Sequence, residues 1–122
     1  MTAALPDPHA DRLGLRIDGL SYRFPTGELP AIEDVCLRVH PGELVLLTGP
    51  TGCGKSTLLR LAAGLLQRHG SGTLAGSVRI DGEDPAALAP SDRVRRVGFV
   101  AQSPDRQILA GTLGDELAFG LE

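Results

Sequence analysis

The eight residues Gly49-Pro50-Thr51-Gly52-Cys53-Gly54-Lys55-Ser56 constrain this chain more than any other stretch. They fill every fixed position of the pattern GxxxxGK[ST]. That pattern works only between a strand and a helix, and the flanks supply both. Leu44 to Thr48 is a continuous apolar run bounded by turn residues, which predicts a strand covered on both faces. Lys55 to Leu66 predicts a helix, with Leu58, Leu61, Ala62 and Leu65 on one stripe. Glycine makes up 16 of the 122 residues, so a chance match has to be weighed. Three fixed positions, one two-way position and the right flanks weigh against it.

The chemistry explains the residue types. Glycines let the backbone turn tightly and bring N–H groups against phosphate oxygens. The helix that follows points its positive end at the same place. Lys55 supplies a flexible cation for the β- and γ-phosphates of a nucleotide. Ser56 offers a hydroxyl to Mg²⁺, a hard ion that prefers oxygen ligands. Thr57, in the first helical turn, joins Gly49 through Ser56 as a candidate phosphate contact. Cys53 stands at a permissive loop position where a small side chain suffices. Its place in the loop also makes it a candidate for alkylation that a bound nucleotide would block.

Around this loop the chain alternates. Leu13, Leu15 and Ile17 fall on one side of a strand, and Leu20, Tyr22 and Phe24 resume a period of two after Gly19. Val35, Leu37 and Val39 predict a second strand. Gln67 to Ser77 reads as loop or hairpin, Val78 to Ile80 as a short strand, and Asp84 to Arg96 as one or two helical turns. Val97 to Ala101 predicts a second strand of the buried type, and Ser103 to Gly111 a loop. Thr112, with Asp115 three residues on, predicts a capped final helix. The expected fold is α/β, with an N-terminal antiparallel β subdomain.

Composition removes several function classes. The net charge is -3, which offers no basic surface for nucleic acid. Three Phe, one Tyr and no Trp make no base-stacking platform. Cys36 and Cys53 are too few for a disulfide framework and have no zinc-type partners. His9, His40 and His69 are isolated, and Arg93, Arg95 and Arg96 read as a solvated basic face. No apolar stretch approaches a membrane span, and Pro6, Asp7, Pro8 and His9 stand where a signal peptide needs an apolar core.

From about Leu15 onward the chain resembles the ATP-binding subunits of ABC transporters. Gly19-Leu20-Ser21-Tyr22-Arg23-Phe24-Pro25 resembles the family's aromatic adenine loop, with Phe24 or Tyr22 as the stacking ring. Val97-Gly98-Phe99-Val100-Ala101-Gln102 is similar to the strand that ends in the Q-loop glutamine. The resemblance implies that Gln102 reaches Mg²⁺ and the attacking water. Gln102 to Ile108 and Thr112 to Gly120 are similar to the energy-coupling-factor subgroup, which drives uptake of vitamins and transition metals.

The resemblance implies ATP and Mg²⁺ as cofactors, and a P-loop NTPase core of the ABC ATPase type. It also implies a transmembrane transporter subunit and a second ATPase domain as partners, at the cytoplasmic face of the cell membrane. The family's signature motif, Walker B aspartate, catalytic glutamate and switch histidine have no counterpart after Gln102. We therefore expect residues 13–122 to be the N-terminal part of such a nucleotide-binding domain, behind a leader at 1–12. Lys55 and Gln102 would support catalysis without completing it. Two alternatives stay open. One is a nucleotide-binding fragment without turnover, with apolar sheet faces that favour aggregation. The other is a different P-loop class, although a GTPase would show an NKxD motif and none is present.

Overall fold

The computed structural model describes residues 14–66, 72–103, 105, 108–109 and 111–119. The expected leader at 1–12 lies outside them, as do Leu13 and parts of the 102–120 tail.

Three strands form one antiparallel sheet in the order β2-β1-β3. β1 spans Leu15–Arg23, β2 spans Ile32–Val39 and β3 spans Thr73–Ile80. Central β1 carries the alternation that its sequence predicts, with one break. Ile17, Leu20 and Tyr22 are buried, and the register shifts between Ile17 and Leu20. The shift restores the inward phase after Gly19, whose φ is 55°. β3 begins at Thr73, well before the expected Val78. Its first residues look like loop by composition, but Thr73, Leu74 and Ala75 pair with Arg23, Tyr22 and Ser21 of β1. Cross-strand pairing overrides local preference there.

α1 spans Lys55–Ala62 and lays Leu58 and Leu61 into the core with Ile17, Leu20, Tyr22, Ile32 and Val78. Burying each such side chain contributes about 1.5–3 kcal/mol, so this stripe holds the helix and the loop before it against the sheet. The helix is shorter than the expected Lys55–Leu66, and Gly64 is the reason. Its φ is 74°, its N–H donates to the Leu61 carbonyl at 3.0 Å, and the Leu65 N–H donates to the Arg60 carbonyl at 2.9 Å. This is the Schellman closure that glycine favours. A side chain at Gly64 would also meet the Pro85 backbone, 2.6 Å from its carbonyl carbon.

α2, Pro90–Arg96, has proline in its first turn and arginines in its last. The arginine cluster is not simply a solvated face. Arg93 Nη1 donates to the Gly64 carbonyl at 2.8 Å, tying α2 to the end of α1, and Arg96 pairs with Glu83. α3, Leu113–Phe119, has the expected cap: the Asp115 N–H donates to Thr112 Oγ1 at 3.2 Å, and that hydroxyl donates to the Asp115 carboxylate at 2.7 Å.

Two expected strands do not form. Residues 44–48 and 97–101 form no strand and lie outside both ladders of the described sheet. Leu44 is 98 % exposed, Leu46 84 % and Val100 81 %. A strand buried on both faces needs neighbouring strands and covering helices, and the described residues place none beside these runs. Of the expected α/β core, the described residues therefore hold the phosphate loop and its helix beside a three-stranded antiparallel sheet. The exposed apolar runs predict self-association. Size-exclusion chromatography should show a larger species growing with concentration, and Leu44→Lys with Leu46→Lys should reduce it. A chain that stays monomeric and melts cooperatively would refute this.

Candidate nucleotide site

The loop of residues 49–54 runs into α1, whose buried Leu58 and Leu61 pack against the sheet. The Cys53 N–H donates to the Pro50 carbonyl at 3.2 Å, closing a turn. Gly54 then serves as the N-cap of α1 with φ 100°, and the Leu58 N–H donates to its carbonyl at 2.9 Å. No side chain caps this helix start, and its first turn holds no acidic residue. The positive end of the helix dipole is thus uncompensated by the protein, which suits an anion.

A cavity of about 410 Å³ opens over this helix start. Thr51, Gly52, Gly54, Lys55, Ser56 and Thr57 line it. Phe24 and Ala31, at the two ends of the loop between β1 and β2, line it as well, and so does Gln102. Three segments far apart in sequence therefore meet in one place.

Three of the expected loop contacts act differently. Gly49, Pro50 and Cys53 do not line the cavity; they hold Lys55. The Lys55 ammonium donates to the Gly49 carbonyl at 2.6 Å and to the Pro50 carbonyl at 2.9 Å, with Cys53 Sγ at 3.7 Å. Tyr22 also stands apart from the cavity lining. It is 6 % exposed and belongs to the core, whereas Phe24 is 38 % exposed and lines the cavity. The rings were expected on the same side of one strand. β1 ends at Arg23, so Phe24 leaves the sheet and turns toward the loop.

Ala31 is a residue that sequence reading missed. It is a small side chain in a turn, and nothing in the pattern marks it. Its role is visible only through Gly54: a Cβ at that glycine would lie 2.5 Å from the Ala31 carbonyl oxygen and 3.0 Å from Ile32 Cγ2. The phosphate loop and the β1–β2 loop are in direct backbone contact.

The residues present fit a magnesium–nucleotide pair. Ser56 and Gln102 both line the cavity and offer the oxygen donors that Mg²⁺ requires. Among the described residues no group of three or more His, Cys, Asp or Glu could hold a metal by itself. No helix of the described residues is long and apolar enough to cross a membrane.

A glycine-bounded loop, an uncapped helix start and a lysine folded over that loop define the phosphate-loop class of proteins. Within that class, the ABC transporter family matches residues 32–115, and the chain belongs to it. Its relatives are named as ABC transporter ATP-binding proteins. One from Methanosarcina acetivorans is 40 % identical over 111 residues, covering 91 % of this chain and 17 % of the relative. One from Methanosarcina mazei is 40 % identical over 108 residues, covering 88 % and 19 %. One from Streptomyces avermitilis is 38 % identical over 108 residues, again covering 88 % and 19 %. The chain spans less than a fifth of the length of each.

Proposed function

We propose that this chain binds ATP with magnesium, as the N-terminal part of an ABC-type nucleotide-binding domain covering residues 13–122. In the longer protein that domain couples ATP hydrolysis to uptake of a vitamin or transition-metal ion. The observation that carries the reading is the single cavity collecting Phe24, the phosphate loop and Gln102.

Each residue then has a task. Phe24 offers a ring face to the adenine base. The amides of Thr51, Gly52, Gly54, Lys55, Ser56 and Thr57, at the start of α1, bind the phosphates. Lys55 exchanges its two loop carbonyls for the β- and γ-phosphate oxygens. Ser56 and Gln102 hold the metal side of the nucleotide, where bound magnesium neutralises phosphate charge. Among the described residues no Asp or Glu lines the cavity, so none of these offers a carboxylate to take a proton from water. That observation favours, as a second reading, a nucleotide grip without turnover in this chain by itself. Import rather than export rests on the likeness of residues 102–108 and 112–120 to the energy-coupling-factor subgroup. The same likeness supports a transmembrane subunit and a second ATPase domain as partners, at the cytoplasmic face of the membrane.

Calorimetric titration with MgATP tests the reading, with saturable binding as the expected result. A flat titration of a folded chain would overturn it. Cys53 offers an independent check, because its sulfur is exposed and touches the Lys55 ammonium. MgATP should slow alkylation of Cys53 several-fold while leaving Cys36, on β2, unaffected. Equal slowing at both thiols, or at neither, would count against a nucleotide at this loop.

A further inference from the structure

Tyr22 and Phe24 stand two residues apart, yet only Phe24 reaches the cavity. Their ring centroids lie 5.0 Å apart at an interplanar angle of 87°, an edge-to-face contact. Tyr22 is gripped on its other side as well. A Cβ at Gly72 would overlap the Tyr22 hydroxyl and ring carbons, so the ring has no room to move that way. The Tyr22 carbonyl accepts the Ala31 N–H at 2.7 Å, which closes the loop from Phe24 to Pro30 at its base. One buried residue thus contacts both cavity residues of the β1–β2 loop, through its ring and through its backbone.

We propose that Tyr22 is a positioning residue for nucleotide recognition: its ring sets the orientation of Phe24, so that the base meets a preformed aromatic wall. This rests on the reading that the cavity holds ATP. An exposed ring at the end of a strand would otherwise have to be ordered as the ligand arrives, which weakens binding. The ring's contribution concerns the base end, because the ring it orients, Phe24, belongs to the β1–β2 loop and not to the phosphate loop.

The test compares MgATP with magnesium tripolyphosphate, which has the phosphates without the base. Tyr22→Leu should weaken MgATP about three- to tenfold, the range of an aromatic pair, and leave tripolyphosphate unchanged. Tyr22→Phe, which keeps the ring, should bind both as the wild type does. In a Phe24→Leu background, Tyr22→Leu should cost nothing more, since the ring it orients is gone. Equal weakening of both ligands, or an undiminished loss in that background, would overturn the proposal. Should Tyr22→Leu fail to fold, Gly72→Ala displaces the ring without deleting it and should give the same selective loss; unchanged MgATP affinity there would overturn the proposal. A wild-type chain that binds neither ligand would overturn the nucleotide reading itself, whereas one that binds both equally well with and without Tyr22 would overturn only its positioning role.

Discussion

Lys55→Ala should lower the affinity of this chain for MgATP by at least about a hundredfold while leaving its melting temperature nearly unchanged. The two parts of that expectation come from different partners of one ammonium. Toward the protein, Lys55 donates to the Gly49 and Pro50 carbonyls at 2.6 and 2.9 Å, at a loop whose residues are largely exposed. These bonds are within reach of water, and losing them lets water solvate the carbonyls instead, so little net stability goes with them. Toward a triphosphate, the same cation meets several negative oxygens beside an uncapped helix start. Charge-assisted bonds there contribute about 1.5–3 kcal/mol each, and two of them exceed the protein-side cost. Lys55→Arg should recover little of the affinity, because a planar fork does not fit the space of a compact point charge. Calorimetry with MgATP, alongside a thermal melt, separates the effects. Affinity within twofold of wild type would mean that the phosphates do not sit at this loop.

The site was more legible in the sequence than the sheet around it. The phosphate loop is local: its turn, its glycines and the helix it opens are all written within about one helical stretch of chain, so α1 begins at Lys55 as its pattern requires. The Thr112 cap is local for the same reason. Most of the failures are non-local. An apolar run such as Leu44 to Thr48 says that those side chains favour burial. Whether anything lies beside them is decided by other segments, and among the described residues nothing pairs with that run. Thr73 to Ser77 fails in the opposite direction, since its composition suggests loop and β1 makes it strand. The end of α1 is the exception, because Gly64 carries the usual local glycine signal for a helix stop. Tyr22 and Phe24 show the subtler limit. Alternation places them on one side, but only the point where β1 ends separates a core ring from a cavity ring.

Gly54→Ala should cost far more than Gly52→Ala, although both glycines have a positive φ. The values are 100° for Gly54 and 85° for Gly52, so alanine at either position pays a left-handed backbone cost of about 1–2 kcal/mol. Beyond that shared cost the positions differ. A Cβ at Gly52 meets nothing within 4 Å, whereas one at Gly54 lies 2.5 Å from the Ala31 carbonyl oxygen. That oxygen belongs to backbone held by the Ala31 N–H bond to the Tyr22 carbonyl at 2.7 Å, so it cannot swing aside as a flexible side chain would. Either α1 lifts from the sheet, loosening Leu58 and Leu61 in the core, or the β1–β2 loop moves and takes Phe24 with it. The total should reach about 3–5 kcal/mol, against a stability of about 5–15 kcal/mol for an ordinary domain. Thermal melts of the two variants measure the difference directly. Equal destabilisation would mean that the contact between Gly54 and Ala31 does not hold the phosphate loop in place. A melting temperature that falls much further for Gly54→Ala than for Gly52→Ala, together with weaker MgATP binding, would show that one backbone contact joins the base wall to the phosphate grip.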